Sequence, residues 1–206
     1  MTIVFDLDHT LLDTTLLMNE MGKILEPHGI PPETFRETYL GIALKDDGIN
    51  DYRLEAHLER MKGLLTCSGR EAEKRLRSVV ERTGDFLYPH AETLLVGLAE
   101  EGHDLVLLTH GNPTWQKLKV DKAGIAGLFS KSHYVPGMKH EMEGFLDDRE
   151  FPLVMVNDNG KEIMEMRKRW PKAFMIAVSG PKGPPEDPAI PVAGSLLEVG
   201  KIIREL

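Results

Sequence analysis

Two aspartates two residues apart, Asp6 and Asp8, follow directly on the apolar run Ile3-Val4-Phe5 and open the list of side chains that could do chemistry. Like charges this close are costly in a low-dielectric cleft unless a cation neutralises them or one carboxylate holds a proton. The pair therefore points to a divalent metal or to an acid/base partnership. A hard cation such as Mg2+ suits oxygen ligands and brings a phosphate with it. The same residue types also suit a turn and a helix N-cap, so the pair alone leaves both readings open.

Two further segments fit the first reading. The apolar run ending at Leu108 continues into Thr109-His110-Gly111-Asn112, and the run Leu153-Val-Met-Val156 continues into Asn157-Asp158-Asn-Gly-Lys-Glu162. A hydroxyl followed by a glycine-containing turn offers an O–H group and backbone N–H groups to a phosphate at a helix N-terminus. Thr109 is the natural phosphate ligand. Asp158 would join the first pair around one metal, and Glu162, one helical turn on, either holds a metal-bound water or is an acid favoured by the helix dipole.

The elements that must position these residues alternate. Buried-strand patterns are expected at Ile3–Phe5, Asp104–Leu108, Leu153–Val156 and Phe174–Val178, with a shorter one at Ser132–Val135. Helices are expected from Ala91 to Glu101, from Thr114 to Ala123 and from Gly160 to Trp170, stopped by Gly102, Gly124 and Pro171. Such alternation predicts an α/β fold, a Rossmann-like parallel sheet core flanked by helices, whose ligands sit beyond the carboxyl ends of the strands.

Residues 13–85 read differently, as an all-helical insert. Leu17, Met21, Ile24 and Leu25 share one helical face, and Leu54, Leu58, Met61 and Leu65 share another. Pro31-Pro32 separates the first two helices, and Ser68-Gly-Arg-Glu71 is a capping box for a helix through Leu76, Val79 and Val80. The core is then 1–12 with 86–206. Gly180 to Pro188 reads as a rigid surface loop and Ser195 to Leu206 as a terminal helix.

The 206 residues are 41% hydrophobic and 28% charged, an ordinary globular balance that excludes a disordered or fibrous chain. A net charge of −8 repels nucleic-acid backbones and anionic membranes. The single cysteine, Cys67, makes no internal disulfide, and no apolar run approaches the ~18 residues that span a bilayer. A cytoplasmic, soluble protein with no nucleic-acid or membrane partner is expected. His103 with His110, and His133 with His140, lack the i, i+4 spacing of a helical zinc pair. The Arg167-Lys-Arg169 cluster suits a helix C-terminus.

The three motifs in this order resemble those of the haloacid dehalogenase superfamily of phosphohydrolases. Asp6-Leu-Asp8-His-Thr10-Leu-Leu-Asp13 looks like the family's first motif, Leu107-Leu-Thr109-His-Gly-Asn112 its second, and Val156-Asn-Asp158-Asn-Gly-Lys-Glu162 its fourth. The helical insert is similar to the family's small cap domain. The resemblance implies that Asp6 is a nucleophile forming an aspartyl-phosphate and that Asp8 is the acid/base. It places Thr10, Thr109, His110, Gly111 and Asn112 around the substrate phosphate, and Asp6, Asp8, Asp158 and Glu162 around Mg2+. Dehalogenating members lack a second acid of this kind, so Asp8 turns the choice toward phosphate esters. The family's motif lysine has two candidates. Lys139 follows the strand Ser132–Val135 and lies on the strand-end side, whereas Lys131 precedes it, so Lys139 is chosen. The sequence departs from the family pattern at Asn157, where glycine is common, and at Glu162, where a second aspartate is common.

The expectation is a Mg2+-dependent phosphatase of a small phosphorylated metabolite, with Arg36, Lys45, Arg53, Arg60 and Lys62 as candidate contacts from the insert. A phosphotransferase or mutase of the same superfamily and a catalytically silent phospholigand- or protein-binding member are the rival readings. Substrate identity and oligomeric state are not legible in the sequence.

Overall fold

The computed structural model describes residues 1–43, 51–142 and 152–206. Six strands form one sheet: β1 (Thr2–Phe5), β2 (Asp104–His110), β3 (Lys131–Val135), β4 (Leu153–Asn157), β5 (Phe174–Val178) and β6 (Val192–Ala193). All pair in parallel, in the order β3-β2-β1-β4-β5-β6. The order reverses at β1, which has β2 on one side and β4 on the other, and in such sheets ligands bind beyond the strand ends at that reversal. The two-residue β6 was not foreseen, because so short a strand carries no periodic signal.

The strands are near-continuous apolar runs because both faces of the sheet are covered. Ile3, Phe5, Leu105, Leu107, Val154 and Val156 point into one hydrophobic cluster, while Val4, Val106, Leu108, Leu153 and Met155 point into the other. The period of two distributes one strand between two cores. Helices α5 (Ala91–Glu100) and α8 (Leu196–Arg204) cover the first face with Leu94, Leu95, Leu98, Val199 and Ile203, and α7 (Gly160–Arg169) covers the second with Ile163 and Met166. Helix α6 (Pro113–Lys122) joins β2 to β3. Among the described residues no helix is long and apolar enough to cross a membrane.

Between β1 and α5 the described residues form four α-helices, α1 (Thr14–Leu25), α2 (Pro32–Ala43), α3 (Leu54–Met61) and α4 (Gly69–Val80), and then a 3-10 turn at Thr83–Phe86. Asp13 caps α1 by accepting the Leu16 N–H at 2.9 Å, and Ser68 caps α4 by accepting that of Glu71 at 3.2 Å. Helix α3 ends at Met61, four residues short of the expected Leu65, because the chain turns through Lys62 to Leu64 with Gly63 inside the turn. The segment enters and leaves through a narrow neck. There the Asp13 N–H donates to Phe86 O at 2.8 Å and the Tyr88 N–H to Leu11 O at 2.9 Å.

His57 lies wholly buried among α2 and α3, with Nε2 2.8 Å from the Thr38 hydroxyl and Nδ1 3.1 Å from the Tyr52 hydroxyl. Burial, with the Arg60 charge nearby, pushes its pKa down to about 4. The unfolded chain takes up this proton first, so the associated stability is complete above about pH 6.5 and is lost as pH falls toward 4. Chemical denaturation at pH 7 and pH 4.5 is expected to show a loss approaching about 3 kcal/mol from this residue. His57→Gln, less stable at pH 7, should show a flatter dependence over that range; an unchanged slope would contradict the assignment.

Candidate active site

The loop after β1 brings the two aspartates to the sheet's carboxyl edge. The Asp6 N–H donates to Val156 O of β4 at 3.0 Å, which extends the β1–β4 ladder by one residue and sets Asp6 beside the Asp158 segment. The chain then folds tightly on itself, with the Leu11 and Leu12 N–H groups both donating to Leu7 O at 2.9 and 3.0 Å. His9 takes a left-handed backbone conformation, φ 63°, uncommon for a residue with a side chain. Thr10 is fully buried, and its hydroxyl lies 3.5 Å from Asp6 Oδ2.

Lys139 reaches Asp6 from the 3-10 turn that follows β3. Its Nζ is 2.8 Å from Asp6 Oδ1 and 2.9 Å from Glu162 Oε2, and the residue is 1% exposed. Burial alone would lower the ammonium pKa, but the two carboxylates raise it above the ordinary value, so Lys139 is a fixed cation. Lys131 opens β3 opposite Val106, three residues before Thr109 on the neighbouring strand, and is therefore at the far edge of the sheet.

Glu162 accepts from Lys139 and, at 2.7 Å, from Asn157 Nδ2. Burial works against its charge, but Lys139 and these hydrogen bonds hold it below the usual carboxylate range. The two departures from the family pattern, Asn157 and Glu162, thus bond to each other. Glu162 is bound through Oε2 to a cation already present.

Asp8 is likewise committed. Its Oδ1 accepts from the Thr14 hydroxyl and from Lys119 Nζ, and its Oδ2 accepts from Gln116 Nε2 at 2.8 Å. Burial would raise its pKa, but the Lys119 charge and the three hydrogen bonds outweigh burial and hold it well below the carboxylate range. Lys119 and Gln116, each 2% exposed, lie on α6 and were missed by sequence reasoning.

Asp158 is the opposite case. It is 1% exposed, and neither carboxylate oxygen has a hydrogen-bond partner among the described residues. Burial and the neighbouring Asp6 charge push its pKa up to about 7. The Thr109 hydroxyl, near the end of β2, is also buried without a partner among the described residues. Buried polar atoms are almost always satisfied, so an orphaned carboxylate beside Asp6 and an orphaned hydroxyl from the next strand mark a place built for something else.

These atoms test the fit of Mg2+. Asp6, Asp8, Asp158 and Glu162 are the carboxylates expected around the metal; among the described residues no three His, Cys, Asp or Glu side chains group closely enough to hold a metal alone. Asp8 and Glu162 are the more heavily engaged: Lys119 and Thr14 donate to Asp8 Oδ1, Gln116 donates to Asp8 Oδ2, and Lys139 and Asn157 donate to Glu162 Oε2. Asp6 and Asp158 remain, and Mg2+ is typically held by one or two carboxylates with waters and substrate phosphate completing the shell. The residues present fit that arrangement.

Two expected phosphate contacts have other partners in the fold. Gly111 has a positive φ of 129°, but its N–H donates to Val135 O at 2.8 Å and so serves the sheet rather than a ligand. Asn112 caps α6 by accepting the Trp115 N–H at 3.1 Å and donates to Asp51 at 2.8 Å, tying the helical segment to the core. His110 does line the small cavity, of about 110 Å³, together with Asp6, Asp8, His9, Thr14, Tyr39, Trp115, Lys119 and Lys182. Burial and the Lys139 charge lower its pKa, which keeps the ring neutral.

Lys182 adds a site contact to Gly180–Pro188, the segment expected as a rigid surface loop. The Gly160 N–H donates to Gly183 O at 3.1 Å, and a Cβ on Gly160 would lie 2.2 Å from Pro184 O. A Cβ on Gly180 would lie 2.7 Å from the Asp158 Cβ. The loop is pressed onto the start of α7 and against Asp158, and this contact carries Lys182 to the cavity. Of the expected contacts from the insert, Arg36 lines a groove of about 420 Å³ that shares His9, Thr14 and Tyr39 with that cavity. Arg53 pairs with Asp51 at 2.6 Å, Arg60 donates to Gly41 O at 2.9 Å and Lys62 pairs with Glu59 at 3.2 Å. Lys45 lies outside the described residues.

Residues 3–153 match the family described as haloacid dehalogenase-like hydrolase. The chain belongs to that family. Its fold is that of an L-2-haloacid dehalogenase from Xanthobacter autotrophicus, at 18% identity and a TM-score of 0.67 over 100% of this chain and 98% of the other. It is also similar to a protein assigned as a HAD hydrolase from Bacillus subtilis and bound to magnesium, at 19% identity and a TM-score of 0.66 over 98% and 97% of the two chains. A protein assigned as a β-phosphoglucomutase from Thermotoga maritima gives 16% identity and 0.65 over 100% and 99%. No curated protein is similar enough in sequence to register as a relative. Family membership makes the chain a hydrolase- or transferase-type fold; at these identities the neighbours speak for the fold alone.

Proposed function

We propose that this protein is a Mg2+-dependent phosphohydrolase that cleaves a small-molecule phosphate monoester through an aspartyl-phosphate on Asp6. The observation that carries this reading is the Asp6 carboxylate, paired with Lys139 at 2.8 Å and set beside oxygens of Asp158 and Thr109 that have no partner among the described residues. Asp6 Oδ2 is the oxygen left to attack phosphorus, since Oδ1 faces Lys139. Lys139 offsets charge on the phosphoryl oxygens, and Thr109 donates its hydroxyl to one of them. When bound between Asp6 and Asp158, Mg2+ supplies further charge stabilisation to the same oxygens.

Asp8 handles the proton. It gives one to the ester oxygen as the phosphorus–oxygen bond breaks, and afterwards takes one from the water that hydrolyses the aspartyl-phosphate, a contribution of roughly 10²–10⁴-fold for a positioned acid/base group. Held as a carboxylate at rest, Asp8 receives its first proton from the substrate, whose phosphate has a second pKa near 6. The helical segment 13–85 acts as a cap: Tyr39 and Thr14 overhang the cavity, and the leaving group extends along the Arg36 groove. A cap of this kind excludes water and suits a small soluble metabolite in the cytoplasm.

The test is release of inorganic phosphate from a panel of sugar, nucleotide and other alkyl phosphates and p-nitrophenyl phosphate, with Mg2+ and with a chelator. Release that requires Mg2+ supports the reading. Phosphoryl transfer to an added sugar without net phosphate release would favour the mutase alternative. Halide release from 2-haloacids in the absence of phosphatase activity, or no turnover at all, would contradict the proposal.

A further inference from the structure

The polar inner face of α6 points to a function for a residue that the family's motifs do not include. We propose that Lys119 is a positioning residue for Asp8, fixing the carboxylate so that a single acceptor site, on Oδ2, faces the phosphoryl cavity. This rests on the phosphohydrolase reading above.

An ionised carboxylate has about four lone-pair sites. On Asp8, Thr14 and Lys119 take two on Oδ1, and Gln116 takes one on Oδ2. One site remains, on an oxygen whose side chain is 19% exposed and lines the cavity with Asp6. Gln116 Nε2 also donates to His110 O at 2.5 Å, so a single amide fastens the Asp8 loop to the end of β2. The carboxylate can neither rotate nor withdraw without losing several of these bonds.

Lys119 is an expensive way to achieve a merely structural end. A buried ammonium costs several kcal/mol before pairing, and an apolar side chain of the same length would carry no such penalty. Local choices that contradict their surroundings concentrate at functional sites. Its acidic partner among the described residues is Asp8.

A positioning role confines the effect to the step in which a proton moves between Asp8 Oδ2 and the ester oxygen. An alkyl alcohol leaves poorly without that proton, whereas p-nitrophenolate leaves without help. The experiment compares the full-length protein with Lys119→Met and Gln116→Met, in Mg2+, reading kcat/KM for p-nitrophenyl phosphate and for the best alkyl ester of the panel. Because kcat/KM reports the first half-reaction, slow hydrolysis of the aspartyl-phosphate does not mask the comparison. Lys119→Met is expected to lower the alkyl ester's kcat/KM at least tenfold more than the aryl ester's. Gln116→Met should shift the ratio in the same direction by less, and it carries the test if Lys119→Met does not fold. Equal losses for both esters in the folded variants, with an active parent, would overturn the inference and leave the phosphohydrolase reading standing. A parent protein that releases phosphate from neither ester would overturn both.

Discussion

Asp6→Asn is expected to reduce phosphate release by on the order of 10⁴-fold or more, with the fold retained. The amide oxygen can still accept from Lys139, so the buried contact at 2.8 Å has a neutral substitute, but an amide cannot attack phosphorus. A structural role alone would predict a loss of melting temperature with residual turnover. The nucleophile role predicts the reverse, and phosphate release with a thermal melt on the same sample separates them. A variant that keeps more than about a tenth of the parent rate would place the nucleophile elsewhere.

Asp158→Asn is expected to have two opposite effects. In the absence of divalent cation the variant should be more stable than the parent at pH 8. It removes a buried carboxylate that has no hydrogen-bond partner among the described residues and lies against the Asp6 charge. A polar group buried without a partner costs about 1–3 kcal/mol, and a charged one more, so the melting temperature should rise by several degrees. With Mg2+ the order reverses: the parent should gain stability by binding, the variant should not, and kcat/KM should fall on the order of 10²-fold or more. Thermal melts with chelator and with Mg2+ check this directly. A variant stabilised by Mg2+ to the same extent as the parent would exclude Asp158 as a ligand.

The site's frame was legible because it rests on the most regular features of the chain. Buried strands that end in Asp6, Thr109 and Asp158 announce themselves by composition, and parallel strands must present those ends on one edge. The choice of Lys139 over Lys131 followed from the same geometry, since only a residue after β3 is on that edge. The rest of the site depends on which way side chains turn, and spacing does not encode that. Glu162 and Asp8 are acidic and well placed, but that each is bonded to a lysine is not legible from spacing.

Lys119 and Gln116 were hidden in a helix read only as a helix. One signal could have found them: the buried face of α6 is Trp115, Gln116, Lys119 and Val120, so a helix that must pack on the sheet lacks an apolar stripe. A missing stripe in a core-facing helix marks polar residues with an interior task. The role of Gly180–Pro188 had no such signal. Its glycines and prolines suit any exposed turn, and the contact of Gly160 with Pro184 that seats the loop joins segments whose meeting no local pattern foretells.

The central claim is covalent, and so is its most direct test. The protein is mixed with Mg2+ and its best phosphate ester, quenched in acid within the first turnovers, digested and read by mass spectrometry. The account predicts a phosphoryl group on the peptide containing Asp6, absent from Asp6→Asn. Phosphate release at full rate with that peptide unmodified at every quench time, or a phosphoryl group on another residue, would contradict it.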